Sequence, residues 1–304
     1  MSNSKEFSGV WTAIVTPFTE SGDIDFASFD KLVSSQMKAG IDGLVIAGTT
    51  GESPTLTVDE KLRLVTKAKE IVGSNMRIMA GSGCNNTQNT VDLSKKMEAA
   101  GADSLLVVTP PYNKPSIGGL VAHFRAVTDA TTVPICLYHV PGRTGQLLSS
   151  DALSKLTENL QIKGIKEASG CLNLFQEVRL KCREGLSLLT GDDPTYLASR
   201  CIGGDGVISV ITNLYPTAMV KMDELVVQNK ISTAQEINLS LFPAMQAMFL
   251  EPNPTPIKAM LSEKGLCKNN FRLPLTPATN ESVERISFAC HQAQSRLENM
   301  GVLV

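Results

Sequence analysis

Histidine is scarce in this chain of 304 residues, which has only His123, His139 and His291. These three lie far apart in the sequence and lack the spacing of metal ligands. The seven cysteines are odd in number, scattered and without a C-x-x-C pair. This pattern favours reduced thiols over a disulfide framework. We therefore expect a cytoplasmic protein whose chemistry uses neither a metal nor another cofactor.

An excess of charge is also missing, since the formal net charge is −2. A nearly neutral chain has no basic field for binding nucleic acid. No apolar run is long enough to span a membrane. The segment Met1–Glu6 is polar and has no apolar core like that of a signal peptide. The sequence therefore predicts neither nucleic acid nor a membrane as a partner.

What the chain does have is a regular alternation of short apolar runs with amphipathic segments. Apolar strands that alternate with helices are typical of a parallel sheet covered on both faces. Eight such units favour closure into a (β/α)8 barrel over an open sheet. The predicted strands are Trp11–Thr16, Gly43–Ala47, Arg77–Gly81, Ser104–Thr109, Pro134–Tyr138, Ile162–Lys166, Leu186–Thr190 and Gly206–Val210.

Helical patterns follow these strands and continue beyond the last of them. One of them begins with a capping box formed by Thr57 and Glu60. We predict a catalytic barrel over residues 1–228 and a C-terminal helical extension over 229–304. The predicted helices lie near 26–39, 58–72, 87–100, 118–130, 150–158, 173–183, 194–201 and 215–228 in the barrel and near 231–249, 254–264 and 279–299 in the extension.

A barrel of this kind carries its active site at the carboxyl ends of the strands. The polar and glycine-rich segments of this chain fall at those ends. They are Gly48–Ser53, Thr109–Pro115, Tyr138–Gly145, Lys166 and Thr190–Asp193. Because they belong to five different strands of one rim, we expect them to surround a single site.

Lys166 is the most informative of these residues, because it ends a short buried strand. Burying a charged amine is costly, so such a position favours the neutral amine, which attacks ketones and aldehydes. Regular alternation places Ile162, Gly164 and Lys166 on one face and Lys163 and Glu167 on the other. Gly164 would then leave space beside the amine. The local sequence alone would also suit a solvated lysine at a strand end. That alternative is disfavoured by the other polar segments at the same rim.

Each of the other candidates also has a structural and a functional interpretation. The turn Gly48–Gly51 could bind a carboxylate through N–H groups and hydroxyls, or simply precede a helix. Tyr138 could carry protons beside the lysine, or be a core aromatic residue. Arg143 could hold a carboxylate, or be a solvated surface residue. Tyr112 lies in a proline-rich loop and suits packing or an interface, whereas His139 alternates away from Tyr138 and is predicted to be structural.

Taken together, the motifs resemble those of the dihydrodipicolinate synthase family, which belongs to the pyruvate-dependent class I aldolases together with N-acetylneuraminate lyase. The resemblance extends from about Gly9 to about Leu297. It is carried by Gly48–Glu52, Tyr138–Thr144, Gly164–Ala168 and Gly191–Asp193, with further matches at Val207–Val210, Glu251–Pro254 and Arg272–Leu275.

The resemblance implies a condensation of pyruvate with (S)-aspartate semialdehyde in lysine and diaminopimelate biosynthesis. It also implies a homotetramer built from tight dimers. The resemblance implies that Lys166 forms the Schiff base, that Tyr138 shuttles protons, and that the hydroxyls of Thr49 and of Tyr112 from the neighbouring subunit complete the proton relay. It implies that Thr50 binds the pyruvate carboxylate and that Arg143 binds the semialdehyde carboxylate. Gly191 and Ile208 are implied to line the pocket with their backbone.

The chain departs from the family pattern at two places. Pro111 stands where many members have a first tyrosine before Tyr112, and His139 stands where asparagine is common. In members inhibited by lysine, that first tyrosine, a histidine and an acidic residue help to bind the inhibitor. Here the matching positions are Pro111, Val58 or Lys61, and Asn89, so the resemblance implies weak or absent inhibition by lysine.

Two other functions remain open from the sequence. One is another pyruvate-dependent aldolase, acting on neuraminate or a keto-deoxy sugar acid. Arg143 favours a short acidic aldehyde over such a polyhydroxy substrate. The other is a barrel that senses a small acid without turnover, which the presence of Lys166, Tyr138 and Thr49 together disfavours.

Overall fold

The computed structural model describes residues 5–302, in which eight parallel strands form a closed barrel. Each strand pairs with the next along the chain, and the first pairs with the last. The (β/α)8 prediction is confirmed. The strands are β1 (Gly9–Ala13), β2 (Gly43–Ile46), β3 (Arg77–Gly81), β4 (Ser104–Val108), β5 (Ile135–His139), β6 (Ile162–Glu167), β7 (Ser187–Thr190) and β8 (Gly206–Ser209).

The helices lie close to the predicted segments, and the capping box of Thr57 and Glu60 is present. A four-residue helix after β5, within a predicted loop, was not anticipated. The helices are α1 (Phe26–Lys38), α2 (Val58–Val72), α3 (Thr87–Ala99), α4 (Ile117–Thr128), α5 (Pro141–Thr144), α6 (Ser150–Leu156), α7 (Leu172–Lys181), α8 (Tyr196–Cys201), α9 (Pro216–Val227), α10 (Ile231–Ala247), α11 (Thr255–Glu263) and α12 (Asn280–Asn299).

Two apolar layers hold the barrel together. The strands are buried on both faces, as expected for a parallel sheet between side chains and helices. A small inner cluster fills the barrel and includes Phe7, Trp11, Met79 and Leu189. A larger outer cluster joins the strands to the surrounding helices. The inner layer gives the residues at the carboxyl ends of the strands a rigid base.

The three C-terminal helices pack on one another and on the barrel. α10 contacts α9 and α12, and the hydroxyl of Tyr215 donates to the carbonyl of Cys290 in α12 at 2.8 Å. After α11, Arg272 forms an ion pair with Glu60 of α2, and this hydrogen-bonded guanidinium lowers the pKa of the Glu60 carboxyl to about 2. The helical extension therefore reaches the carboxyl-end rim, while a domain boundary at 228/229 stays a prediction.

Strand β6 is irregular, and the sequence prediction for its first residue was wrong. Ile135 pairs with Ile162, but Cys136 pairs with Gly164, so Lys163 is an extra residue in the ladder. Ile162 consequently packs in the outer cluster instead of sharing a face with Lys166. The irregularity lies before the strand end and leaves Lys166 buried.

Within residues 5–302, no helix combines the length and apolar character needed to cross a membrane. The same residues contain no group of three or more His, Cys, Asp or Glu side chains placed to hold a metal ion. All seven cysteines are free thiols, and three of them, Cys136, Cys267 and Cys290, are buried.

Candidate active site

Lys166 and Tyr138 lie side by side at the carboxyl ends of neighbouring strands. They are register partners between β5 and β6, so both side chains project on the same face of the sheet. The Nζ atom of Lys166 is 4.4 Å from the centroid of the Tyr138 ring. Each residue is only 7% exposed. Lys166 and Tyr138 are therefore neighbours, while their roles as nucleophile and proton carrier stay predictions.

Space for the lysine side chain comes from Gly191 and not from Gly164. A Cβ atom on Gly191 would lie 2.6 Å from Cε of Lys166, so any larger residue there would displace the lysine. A Cβ atom on Gly164 would instead meet the ring of Phe7 at 2.7 Å. The predicted role of Gly164 was wrong, because strand alternation predicts the face on which a residue lies but not which side chain occupies the space beside it.

His139 has a structural role on the opposite face, as predicted. Its Nε2 accepts a hydrogen bond from the backbone N–H of Leu148 at 3.1 Å. The ring proton therefore lies on Nδ1, which faces Oε1 of Glu167 at 3.1 Å and donates to it. Glu167 also accepts from the backbone N–H of Ser169. This chain of bonds fixes the ends of β5 and β6, and hence Tyr138 and Lys166.

The Thr49-Thr50 turn follows β2 at the same rim. Thr50 is buried, and its hydroxyl accepts a hydrogen bond at 3.0 Å from the side-chain amide of Asn253. Among residues 5–302, the backbone N–H groups of Thr49 and Thr50 donate to no backbone acceptor. Free N–H groups beside hydroxyls suit a carboxylate ligand. Asn253 was not predicted to take part, although its motif, Glu251–Pro254, belonged to the family resemblance.

A cavity of about 440 Å³ opens beside this turn. Three of the predicted site residues, Thr49, Tyr138 and Arg143, line it. Thr49 and Tyr138 line the same cavity without a direct hydrogen bond between their hydroxyls, so the predicted proton relay stays a prediction. The remaining lining residues are Ala47, Gly48, Ser53, Pro54, Lys61, Gly81, Gly83, Cys84, Asn85, Leu106, Val108, Pro111, Val140 and Thr144.

Thr50, Lys166, Gly191 and Ile208 lie outside the lining of that cavity. Ile208 is fully buried in the inner cluster, to which Tyr138 also belongs. Gly191 lies directly against Lys166, and Lys166 lies against Tyr138, which lines the cavity. The structure thus brings Thr49, Tyr138 and Arg143 to one cavity and places Lys166 and Gly191 beside Tyr138.

Arg143 stands at the mouth of the cavity on α5. Its guanidinium reaches the backbone carbonyl of Asn253 at 3.5 Å. Within the described part of the chain it forms no ion pair with a carboxylate. A guanidinium that is exposed and without an acidic partner is available to an acidic substrate.

Tyr112 lies apart from the cavity of its own chain. Its side chain is 89% exposed, and its backbone is left-handed with a φ of 73°. The surrounding loop is nevertheless held in place, because the Asn113 side chain donates to Asn85 O at 2.9 Å and the Gln146 side chain donates to Pro115 O at 2.9 Å. The loop therefore presents an aromatic ring to solvent in a defined position.

Asp193 has a role that the sequence did not reveal. Neither Asp192 nor Asp193 caps the short helices that follow β7 through its side chain. Asp193 is buried, and its Oδ2 accepts the N–H groups of Val210 and Ile211 at 2.9 Å each. It thereby ties the loop after β7 to the end of β8.

Comparison with known proteins identifies this arrangement. The model of the dihydrodipicolinate synthetase family matches residues 6–293. The chain belongs to the dihydrodipicolinate synthetase family. The family assignment agrees with the sequence-based expectation and covers both the barrel and most of the C-terminal helices.

Individual members of the dihydrodipicolinate synthetase family are similar over nearly their whole length. The 4-hydroxy-tetrahydrodipicolinate synthase 1 of Halalkalibacterium halodurans is 41% identical over 91% of this chain and 94% of its own. The synthase structure from Methylacidiphilum fumariolicum SolV is 36% identical, covers 97% of this chain and 98% of its own, and superposes with a TM-score of 0.94. The chloride-inhibited synthase from Acinetobacter baumannii, solved with pyruvate, is 35% identical, covers 94% and 99%, and has a TM-score of 0.92.

Proposed function

We propose that this protein is a 4-hydroxy-tetrahydrodipicolinate synthase that condenses pyruvate with (S)-aspartate semialdehyde through an imine on Lys166. The family membership supports the reaction class, a lyase of lysine and diaminopimelate biosynthesis. The observation that carries the proposal is the buried Lys166 amine lying 4.4 Å from the Tyr138 ring centroid at the barrel rim. The relative from Acinetobacter baumannii was solved with pyruvate, which supports pyruvate as the first substrate.

The proposed chemistry begins with attack of the Lys166 amine on the ketone carbon of pyruvate. A C–N bond forms, the ketone oxygen leaves as water, and an imine results. Loss of a methyl proton converts the imine into an enamine, whose carbon attacks the aldehyde. Each step moves a proton, and the phenol of Tyr138 is the acid–base group beside the amine. Thr50 and the free N–H groups of the turn hold the pyruvate carboxylate, while Thr49 and Tyr112 extend the relay.

Borohydride trapping tests this function directly. Incubation with pyruvate and borohydride should fix the imine as a secondary amine, and peptide mass spectrometry should locate it on Lys166. A coupled assay with (S)-aspartate semialdehyde and with sugar-derived aldehydes should then show preference for the former. An adduct without turnover of any aldehyde, or no adduct at all, would contradict the synthase assignment, and the second result would favour a small-acid sensor.

Arg143→Ala should impair use of the aldehyde far more than trapping of pyruvate. Losing a charge-assisted hydrogen bond costs about 1.5–3 kcal/mol, or roughly 10- to 150-fold in affinity. We therefore expect kcat/KM for aspartate semialdehyde to fall by that factor, whereas the pyruvate concentration that half-saturates trapping changes little. Arg285→Ala, which removes an exposed arginine of α12, is the matched control. Equal losses for both substrates would make Arg143 a structural residue.

We also propose a homotetramer of tight dimers in which Tyr112 completes the site of a neighbouring subunit. The exposed ring of Tyr112 on a hydrogen-bonded loop supports this arrangement. If sites are shared, mixing inactive Tyr112→Phe and Lys166→Met subunits should restore part of the activity, because one mixed site then has both residues intact. Absence of recovery, in samples where native mass spectrometry shows mixed oligomers, would rule out sharing. A cytoplasmic location remains a prediction from the cysteine pattern.

A further inference from the structure

A buried ion pair joins the C-terminal helices to the turn that carries Thr49 and Thr50. Lys258 of α11 and Glu52, two residues after Thr50, are both inaccessible to solvent at their side chains. Nζ of Lys258 lies 2.7 Å from Oε1 of Glu52. The two residues are 206 positions apart in sequence, so the contact exists only in the folded chain. None of the proposed chemical steps uses either group.

The surroundings of Lys258 offer an oxygen acceptor to each N–H of a charged ammonium. Its Nζ donates to Glu52, to the Thr16 carbonyl at 3.1 Å and to the Asn270 carbonyl at 2.5 Å. An ammonium has three donors and a neutral amine only two. Burial lowers the pKa of the Lys258 amine and raises the pKa of the Glu52 carboxyl. Each charge offsets part of this cost of burial for the other, and removing one partner would leave the second group unpaired in the interior.

The ion pair also stabilises an unfavourable backbone conformation, because Glu52 is left-handed with a φ of 54°. This conformation is costly for a residue with a Cβ atom and persists where the surroundings hold it. A second contact acts on the same turn, since the Thr16 hydroxyl donates to the carbonyl of Gly51 at 2.7 Å. The turn after β2 is thus held in a strained conformation by Thr16 and Lys258.

Asn253 holds the same turn through Thr50. Its side-chain amide donates to the Thr50 hydroxyl at 3.0 Å, and both residues are buried. Its backbone carbonyl lies 3.5 Å from the guanidinium of Arg143. Asn253 therefore contacts both of the groups assigned to substrate carboxylates, although it belongs to the segment between α10 and α11 and not to a barrel strand.

We propose that Lys258 and Asn253 are positioning residues through which the C-terminal helices hold the Thr49-Thr50 turn in the geometry that binds pyruvate. This inference rests on the proposed function, because it takes from it the role of the turn in holding the pyruvate carboxylate. Neither residue touches the reacting atoms. Both act through Thr50 and Glu52, and Glu52 transmits the effect of Lys258 to the turn.

The double variant Glu52→Gln/Lys258→Met tests the ion pair without leaving a buried charge. Its side chains are close in size to the originals, so the fold should be kept, which circular dichroism and a melting curve check. Misplacement of a binding group by about 1 Å costs on the order of 100-fold. We expect the pyruvate concentration that half-saturates borohydride trapping to rise by about 10- to 100-fold. The KM for aspartate semialdehyde at saturating pyruvate should change much less.

Asn253→Ala provides a second test that involves no charged group. It removes one neutral hydrogen bond and should also weaken pyruvate trapping selectively. Lys264→Met is the matched control for the Lys258→Met change, since Lys264 directly follows α11 but donates to Gln294 of α12. Half-saturation by pyruvate that stays at the wild-type value in folded Asn253→Ala and in the folded double variant would overturn the proposal, as would equal losses for both substrates. If the double variant does not fold, Asn253→Ala decides alone.

The wild-type protein separates this inference from the proposed function. If wild-type Lys166 gains no adduct from pyruvate and borohydride, the function itself fails, and the variants are not needed. If the wild type is labelled and the variants bind pyruvate equally well, only the positioning role fails.

Discussion

Lys166→Met should abolish the pyruvate adduct and lower turnover by roughly 10⁴-fold or more, the scale of loss on removing a covalent nucleophile. The buried Lys166 stem lies between the Tyr138 ring and Gly191, and methionine keeps most of its volume. The fold should therefore survive while the amine is lost. Peptide mass spectrometry after borohydride treatment and a coupled assay measure the two effects.

Lys163→Met is the matched control for this experiment. Lys163 belongs to the same strand but is the extra residue at the irregularity of β6. Lys163 should carry no label in the wild type or in Lys166→Met, and replacing Lys163 by methionine should leave turnover near the wild-type value. An adduct on Lys163, or trapping that survives in Lys166→Met, would show that the nucleophile has been misassigned.

Tyr138→Phe should lower turnover by roughly 100-fold or more while leaving the fold intact, since a positioned general acid–base group contributes about 10²- to 10⁴-fold. Only a hydroxyl is lost, and the ring that lies against Lys166 remains. The imine should still form, but slowly, so the trapping rate should fall along with turnover. Rapid-quench trapping and steady-state assays report the two rates.

Tyr215→Phe controls for the loss of a tyrosine hydroxyl elsewhere. The Tyr215 hydroxyl donates to the carbonyl of Cys290, between the barrel and α12. Its removal should cost about 1 kcal/mol of folding free energy and leave turnover unchanged. Turnover near the wild-type value in Tyr138→Phe would remove Tyr138 from the relay.

The strand pattern was enough to predict the barrel, because parallel strands buried on both faces leave apolar runs that alternate with helices. It was not enough to predict register. The pairing of β5 with β6 makes Lys163 an extra residue and turns Ile162 outward. Alternation along a single strand carries no information about this pairing. The start of β1 at Gly9 instead of Trp11 depends likewise on its pairing with β8.

The site could be predicted where a residue ends a strand, and less well where contacts come from far along the chain. Lys166 and Tyr138 follow from the strand ends and the family resemblance, and the structure brings them together. The space made by Gly191, the two N–H groups held by Asp193 and the link from Asn253 to Thr50 are tertiary contacts. No local pattern specifies them, because the partner of each residue is decided by the closed barrel.

The ion pair between Lys258 and Glu52 also has a consequence for synthesis of the chain. A ribosome makes residues 9–209, which supply all eight strands, before it makes Asn253, Lys258 or Arg272. The contacts of these three residues with the turn and with α2 can form only once part of the last quarter of the chain has emerged. The rim is thus completed after all eight strands, so a nascent barrel cannot yet hold its Thr49-Thr50 turn as the finished protein does.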